Sequence, residues 1–250
     1  MKPLSIYGYI GLGYNLQLLQ QMAQEKAPVH GDAGVLQVIK NLLSGFDEYN
    51  LRVTQKASQK LEEIQTKLKN TNKNYVLSSN DVLKINESID QIDPVLRAES
   101  QITTAFILTD KRMDLNKLMN NVPALFSQGT FNKLTDIAQY DFKEAGKCIA
   151  LERPTAAAFH ILRGTESVLR QFYTNSVILN PIKELMWGGM TDSLKHQPTP
   201  PPKELLEHLD HIRVAFRNPT QHPQLTYTLD EAQDLFSLCE DVVNRMISLI

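Results

Sequence analysis

The sequence predicts a mainly α-helical protein, and three observations support this fold class. The chain of 250 residues contains only 11 glycines, and glycine weakens a helix interior more than any residue except proline. Apolar residues recur at spacings of three and four, as they do on the buried face of a helix. Residues that favour helix starts and stops stand at the boundaries of these stretches. We therefore expect a C-terminal antiparallel helical bundle and a mostly helical N-terminal region that contains a long helix.

The composition excludes several classes of protein. Lys plus Arg number 26 and Asp plus Glu number 28, so the chain is not uniformly basic, and contact with RNA requires a local patch. No segment has the roughly 20 consecutive apolar residues of a membrane helix. The two cysteines, Cys148 and Cys239, occupy apolar helical positions and are too few for a disulfide framework. We therefore expect reduced thiols in a cytoplasmic protein that has no membrane partner.

The N-terminal region, residues 1–128, is predicted to be regulatory or to mediate oligomerisation. Apolar spacing over 36–68 predicts one long helix, with an interruption in its apolar seam at Asn50. Its second half is rich in Lys, Gln and Glu, which fits either a projecting coiled-coil arm or a plain solvated helix. After a polar break at 69–74, the short apolar runs at 75–77 and 105–108 fit either small strands or buried loops.

The C-terminal region, residues 129–250, carries sharper helix signals. Pro154 is a suitable first-turn residue, and the prolines that end at Pro202 prevent a helix from starting before them. Thr228 and Glu231 form a capping box that predicts the start of the last helix. Each helix is amphipathic, so each must bury one face against a neighbour. The predicted helices cover 131–151, 154–175, a short region that ends near 187–189, the stretch after 202, and the stretch after 228.

The most unusual local sequence is Phe216 to Pro223, where the helix that follows Pro202 is expected to end. Pro219 disfavours a helical conformation at Asn218. On a continuous helix Arg217 and His222 would lie about 140° apart, but a turn framed by prolines would let the imidazole fold back toward the guanidinium. A guanidinium that binds phosphate, an amide and a group that titrates near neutrality are suited to phosphodiester chemistry without a metal.

The stretch Arg217-Asn218-Pro219-Thr220-Gln221-His222 resembles the R-x(4–6)-H signature of the HEPN superfamily. The polar residue directly after the arginine and the position before the last helix of a bundle also fit that family. The stretches 140–146 and 154–166 are similar to the first helices of uncharacterised bacterial HEPN-like proteins. The resemblance covers about residues 131–250.

The resemblance implies a metal-independent endoribonuclease of the toxin or antiviral-defence type, which needs no cofactor. Arg217 would bind the scissile phosphate, Asn218 would orient the 2′-hydroxyl or a phosphate oxygen, and His222 would act as general base or acid. Since one histidine per chain is one too few for a separate base and acid, a homodimer with a composite site is expected. The product would be a 2′,3′-cyclic phosphate. The expected partners are an RNA substrate and an antitoxin or sensor protein.

Glu166 lies on the apolar stripe of its predicted helix and needs a partner. One interpretation is an ion pair with Arg163 or Arg170, which stand three and four residues away. The other is that Glu166 orients Arg217 or changes the acid–base properties of His222 without contacting the substrate itself. The motif has an alternative interpretation as well, in which Arg217 to His222 only terminate a helix. The chain would then be a non-catalytic HEPN-like module that binds a nucleotide or a partner protein.

Overall fold

A computed structural model describes residues 5–104, 106–177, 179, 181–222 and 225–250. The mainly α fold class is confirmed, since 71% of the structure is helical and the described residues form no strand. No helix in this portion of the chain combines the length and the apolar character needed to cross a membrane. The chain divides into two compact units, Met1–Phe106 and Ile107–Ile250.

The boundary between the units lies 22 residues before the predicted one at 128/129. The reason is that Leu118, Val122 and Phe126 are buried in the core of the C-terminal unit. Leu118 belongs to α6 (Leu115–Asn120) and Val122 to a 3-10 turn at Val122–Leu125, and Phe126 follows that turn directly. Each segment is too short to show a repeated apolar spacing in the sequence, which is why the sequence places the boundary after them.

The described part of the N-terminal unit forms five helices, which are α1 (Ile6–Gln24), α2 (Val35–Glu48), α3 (Arg52–Ala57), α4 (Gln59–Lys69) and α5 (Ser79–Ile102). The single helix predicted over 36–68 is wrong, because the chain breaks at Asn50 and again at Ser58. Asn50 has a φ of 55°, a left-handed conformation that asparagine adopts more readily than most residues. The long helix of this unit is α5.

The apolar seam of α4 is buried, so this helix neither projects as an arm nor stands as a solvated helix. Leu61, Ile64 and Leu68 lie in the core of the N-terminal unit. The run at 75–77 is a loop whose Leu77 is buried, whereas Phe106 and Ile107 are exposed loop residues. Ala105, the first residue of the other apolar run, lies outside the described residues.

The carboxylate of Asp81 joins α4 to the start of α5 inside the N-terminal unit. It accepts hydrogen bonds from Lys67, from the Tyr75 hydroxyl and from both the backbone N–H and the hydroxyl of Ser78. Burial raises the pKa of Asp81, but these donors outweigh burial and hold the pKa well below its ordinary value. The charged form is therefore the one that stabilises the folded unit.

The C-terminal unit continues with α7 (Asp136–Ala150), α8 (Pro154–Ser176), α9 (Trp187–Lys195), α10 (Lys203–Ile212), a π-helical turn at Arg213–Arg217, α11 (Asn218–Thr220) and α12 (Leu229–Ser248). The predicted start of α8 at Pro154 and the capping box of α12 are confirmed. The prediction of a short helix that ends near Trp187 is wrong, because α9 begins there. The Trp187 side chain is buried and its indole N–H donates to the carbonyl of Leu209 at 3.1 Å.

Side-chain hydrogen bonds establish the helix directions in this unit. Thr135 and Asp141 of the α7 region pair with Ser167 and Arg163 of α8 respectively, so these two helices are antiparallel. Thr155 accepts a hydrogen bond from the backbone N–H of Tyr227 just before α12, and Thr165 lies beside Cys239 further along both helices. Helices α8 and α12 are therefore parallel neighbours, which the predicted antiparallel bundle did not include.

Replacement Asp81→Asn is expected to lower the free energy of unfolding by about 1 to 3 kcal/mol at pH 7, because four donors lose a charged acceptor. Since the folded pKa lies below the unfolded value, the stabilisation by wild-type Asp81 is complete above the unfolded pKa. It disappears as the pH falls through the folded pKa, so the difference between the two proteins should shrink below about pH 4.

Denaturant titrations followed by circular dichroism at pH 7 and pH 3 measure this difference. The matched control is Asp93→Asn, which removes an exposed partner of Arg97 on the same helix and should change stability by less than about 0.5 kcal/mol. Equal stability of the Asp81 and Asp93 variants would contradict the assigned role.

Candidate functional site

The R-x4-H motif begins in a helix that does not end where the sequence predicts. Asn218 has φ −66° and ψ −48°, so it is helical despite the proline that follows, and the helical path continues to Thr220. The backbone N–H of Asn218 donates to the carbonyl of Arg213, five residues earlier. This wider π-helical turn at Arg213–Arg217 accommodates Pro219, which has no N–H to donate. Such π turns occur frequently at functional sites.

The end of this helical segment is tied to the rest of the unit by Tyr227. The hydroxyl of Thr220 donates to the carbonyl of Phe216 at 2.6 Å and lies 2.6 Å from the Tyr227 hydroxyl. The backbone N–H of Tyr227 donates in turn to Thr155 in the first turn of α8. Burial raises the pKa of Tyr227, so its hydroxyl keeps its proton. These contacts hold the segment that carries Arg217 against α8.

Arg217 faces Glu166 of α8. Its Nε and Nη2 atoms lie 3.4 Å and 3.3 Å from the Glu166 Oε2 atom. The other carboxylate oxygen, Oε1, accepts from the Nη2 of Arg170 at 2.9 Å. Glu166 therefore binds both Arg170 and Arg217, and the two interpretations offered by the sequence each describe one of these contacts.

Arg163, the other predicted supporting residue, does not pair with Glu166. It binds Asp141 of α7 through two hydrogen bonds, from Nε to Oδ2 at 2.7 Å and from Nη2 to Oδ1 at 2.6 Å. The Nδ1 atom of His160 lies 2.8 Å from the same Oδ1 atom. Hydrogen bonding to Asp141 raises the pKa of Arg163 above its ordinary value, so the guanidinium is charged at every physiological pH.

Sequence reasoning missed both Asp141 and His160 as site residues. Asp141 is wholly buried, and a buried carboxylate requires charged or hydrogen-bonding partners. The available signal was a single acidic residue between Tyr140 and Phe142 on a helix whose other inward positions are apolar. The His160 ring is oriented by this same carboxylate, which lies on a different helix.

Comparisons of the chain with family models, curated proteins and solved structures find no match.

His222 and Asn218 are both exposed. The backbone N–H of His222 donates to the carbonyl of Pro219 at 2.8 Å, which places the residue directly after the last helical turn. Among the described residues, no hydrogen bond, ion pair or ring contact involves either side chain. The convergence of Arg217 and His222 within one chain is not seen as a contact and stays a prediction, and Pro223, the last residue of the turn, lies outside the described residues.

The motif is also distinct from the groove that α12 forms with residues 127–133. That groove has a volume of about 660 Å³ and its lining includes Glu240, Asn244 and Arg245. None of the predicted site residues lines it. Within the described ranges, no group of three or more His, Cys, Asp or Glu side chains is arranged to hold a metal ion.

Replacement Asp141→Asn is expected to lower the free energy of unfolding by roughly 2 kcal/mol, because Arg163 and His160 lose a buried charged acceptor. The measurement is a denaturant titration of the full chain. The control Glu144→Gln on the same helix removes a more exposed partner of Lys147 and should have an effect below about 0.5 kcal/mol. If Asp141→Asn is as stable as this control, the carboxylate does not hold α7 against α8.

Proposed function

We propose that the protein is a metal-independent endoribonuclease of the toxin or antiviral-defence type, with Arg217, Asn218 and His222 as its catalytic residues. The observation that carries the proposal is the position and orientation of the Arg217 side chain. Its guanidinium is half-buried and oriented by Glu166, on a π-helical turn that leads directly to an exposed histidine. Orientation of a catalytic group before substrate binds removes some of the entropic barrier of the reaction.

The residues provide the groups that RNA cleavage needs. RNA carries its own nucleophile, the 2′-hydroxyl. His222 removes the proton of that hydroxyl, or donates a proton to the leaving 5′-oxygen. The attacking 2′-oxygen forms a bond to phosphorus, and the bond from phosphorus to the 5′-oxygen breaks. Arg217 stabilises the negative charge that develops on the phosphate, and the Asn218 amide positions the 2′-hydroxyl or a phosphate oxygen. The products are a 2′,3′-cyclic phosphate and a 5′-hydroxyl.

The exposure of His222 supports a site that is completed by a second copy of the chain. A separate base and acid require two histidines, and a two-fold symmetric dimer brings the same motif from both protomers to one interface. The guanidiniums of two Arg217 residues repel each other across such an interface, and a bound phosphate offsets that repulsion. Glu166 reduces it further, because each Arg217 already faces a carboxylate.

A second candidate is a non-catalytic helical module of the same kind that binds a nucleotide or a partner protein. One observation favours it: the Arg217 guanidinium faces Glu166 and is not in contact with His222. In this case the pair between Arg217 and Glu166 serves to attach the α10 to α11 segment to α8. Cleavage assays separate the two candidates.

Replacement His222→Ala is expected to reduce RNA cleavage by about 10²- to 10⁴-fold, the usual contribution of a general acid or base, without changing stability. Arg217→Ala should be at least as inactive. The assay follows single-stranded RNA under folded, dimeric conditions, and a substrate with 2′-deoxyribose at the cleaved position should resist the enzyme. A chelator should leave the rate unchanged.

Matched controls are His208→Ala and Arg245→Ala, which replace exposed or half-exposed residues of the same unit. Both variants should cleave at the wild-type rate. The proposal fails if wild type and His222→Ala leave the RNA equally intact, or if both cleave it equally.

Mixing wild type with the inactive His222→Ala variant tests the composite site. If one site uses His222 from both protomers as base and acid, a mixed dimer keeps only one histidine and is inactive, so the activity should fall with the square of the wild-type fraction. If each chain has its own complete site, the activity should fall in direct proportion to that fraction. Light scattering of the same samples reports whether the protein is a dimer.

Expression in a bacterial host tests the toxin assignment. Cells that produce the wild-type chain should grow more slowly than cells that produce Arg217→Ala at the same protein level. The Arg245→Ala control should be as toxic as wild type. Equal growth of wild type and Arg217→Ala would contradict a toxin, whatever the activity in vitro.

A further inference from the structure

One face of α8 carries a regular series of aromatic and charged side chains. Phe159, Arg163, Glu166 and Arg170 stand at positions i, i+4, i+7 and i+11, which places them on one face of the helix. Arg217 reaches this face through its contact with Glu166. We call these five residues the α8 strip.

The charges of the α8 strip are layered. The carboxylates that bind the arginines of the strip are the more buried groups: Asp141 of α7, which binds Arg163, is fully buried, and the Glu166 side chain is 16% exposed. The guanidiniums lie above them, with the side chain of Arg163 61% exposed and that of Arg170 50% exposed. Three guanidiniums against two carboxylates leave a formal charge of +1, and the layering presents the positive charge to solvent. A chain with a net charge of −2 therefore has a local cationic surface.

The guanidiniums keep donors that their carboxylate partners do not use. Arg163 binds Asp141 through Nε and Nη2, which leaves Nη1 for a ligand. Arg170 binds Glu166 through Nη2, which leaves Nε and Nη1. An arginine has five N–H donors in a rigid fork, so each can bind a phosphate oxygen without losing the ion pair that orients it.

Two exposed aromatic residues lie at the Arg163 end of the strip, Phe159 one turn before Arg163 on α8 and Tyr140 next to Asp141 on α7. Phe159 is 48% exposed and Tyr140 of α7 is 55% exposed. The Tyr140 ring meets the His160 ring edge to face, with 6.3 Å between the ring centroids. Because Asp141 occupies the Nδ1 atom of His160, the orientation of this ring is set by a buried group. Exposed aromatic rings beside arginines are the arrangement on which unpaired bases stack.

From this arrangement we infer that the α8 strip, together with Tyr140 and His160, binds the single strand of RNA that leads to Arg217. Arg163 and Arg170 hold phosphates, and Phe159 and Tyr140 stack bases. The seven residue steps from Arg163 to Arg170 span about 10 Å along the helix, which is about three nucleotides of a stacked strand. The inference rests on the proposed function, because Arg217 is taken as the phosphate-binding residue of the cleavage site.

The side chains favour a single strand over a duplex and over an acidic protein. Stacking on Phe159 and Tyr140 requires bases that are not paired, whereas double-stranded RNA is recognised by its backbone shape. An acidic peptide would use the guanidiniums but would have no use for two exposed rings beside them. Base stacking is thus the contact that distinguishes the three ligands.

Fluorescence anisotropy with a 2′-O-methyl RNA 12-mer measures binding without cleavage, because the methyl group blocks the nucleophile. In the full chain, Tyr140→Ala and Arg170→Gln are each expected to weaken binding by about 5- to 30-fold. Arg170→Gln should also lower the slope of log K against log salt by about 1. Tyr140 and Arg170 are exposed, so neither change removes a core contact.

The controls are Tyr14→Ala, an exposed tyrosine of the N-terminal unit, and Arg112→Gln, a half-exposed arginine of the C-terminal unit that pairs with Asp234. Both should bind as wild type does. The inference is overturned if wild type does not bind the 12-mer, if the variants bind as tightly as the controls, if the matching duplex binds as well as the single strand, or if polyglutamate displaces the RNA at equal charge concentration.

The binding and cleavage assays separate the two proposals. If Tyr140→Ala and Arg170→Gln weaken binding while the wild-type protein cleaves no RNA, the α8 strip binds RNA and the proposed nuclease activity is wrong. If wild type cleaves RNA in a His222-dependent way and the two variants bind and cleave normally, the proposed nuclease activity is supported and the RNA strand does not bind to the α8 strip.

Discussion

Helix α8 packs against α7, α9 and α12, and this central position constrains the rest of the C-terminal unit. A helix that contacts three others exposes only a narrow part of its surface to solvent. Its polar side chains must therefore lie on that surface or form hydrogen bonds or ion pairs with groups in the core. Its buried positions are small or apolar, including Ala157, Ile161, Gly164 and Val168. A Cβ atom at Gly164 would lie 3.2 Å from the Cβ of Asp141, which shows how closely α7 approaches. The charged residues of α8 are therefore concentrated along one line.

This constraint explains why the same helix provides both structural ion pairs and the candidate site. Asp141 is buried because α7 lies against α8, and it is tolerated because Arg163 and His160 satisfy both of its oxygens. Removal of one partner from such a group costs more than the net contribution of the whole pair. Glu166 has a similar role on α8 itself, where it draws Arg217 toward the helix. In each pair the carboxylate is less exposed than the arginine that it orients.

The π-helical turn before Asn218 has a direct consequence for the motif. Without it, Pro219 would place its ring against the carbonyl four residues earlier and stop the helix. With it, Arg217 stays on a helical segment that Tyr227 and Thr220 attach to the start of α8. Arg217 is thus positioned by secondary structure, whereas His222 follows the last turn and stays exposed. This difference fits the proposed dimeric site, in which Arg217 is oriented before substrate binds and His222 acts together with residues of the partner protomer.

The sequence by itself determined the elements whose signals are local. Pro154 and the Thr228 capping box mark the starts of α8 and α12 because the residues that satisfy a helix terminus lie within one turn of it. The mainly α class follows from the same short-range periodicity. The interruption at Asn50 is visible in the apolar seam, but apolar spacing does not show that a left-handed residue ends the helix there. The spacing also gives no sign of the extra residue in the π turn at Arg213–Arg217.

Only the tertiary structure decided which charges meet. Arg163 has Glu166 three residues away on its own helix, yet it binds Asp141, 22 residues earlier. The close packing of α7 buries Asp141 completely, so leaving Asp141 unpaired would cost more free energy than leaving the partly exposed Glu166 unpaired. Arg217 reaches Glu166 across 51 residues of chain for a related reason. Burial sets the cost of leaving a charge unpaired, and burial is a property of the assembled helices that no spacing within one of them reveals.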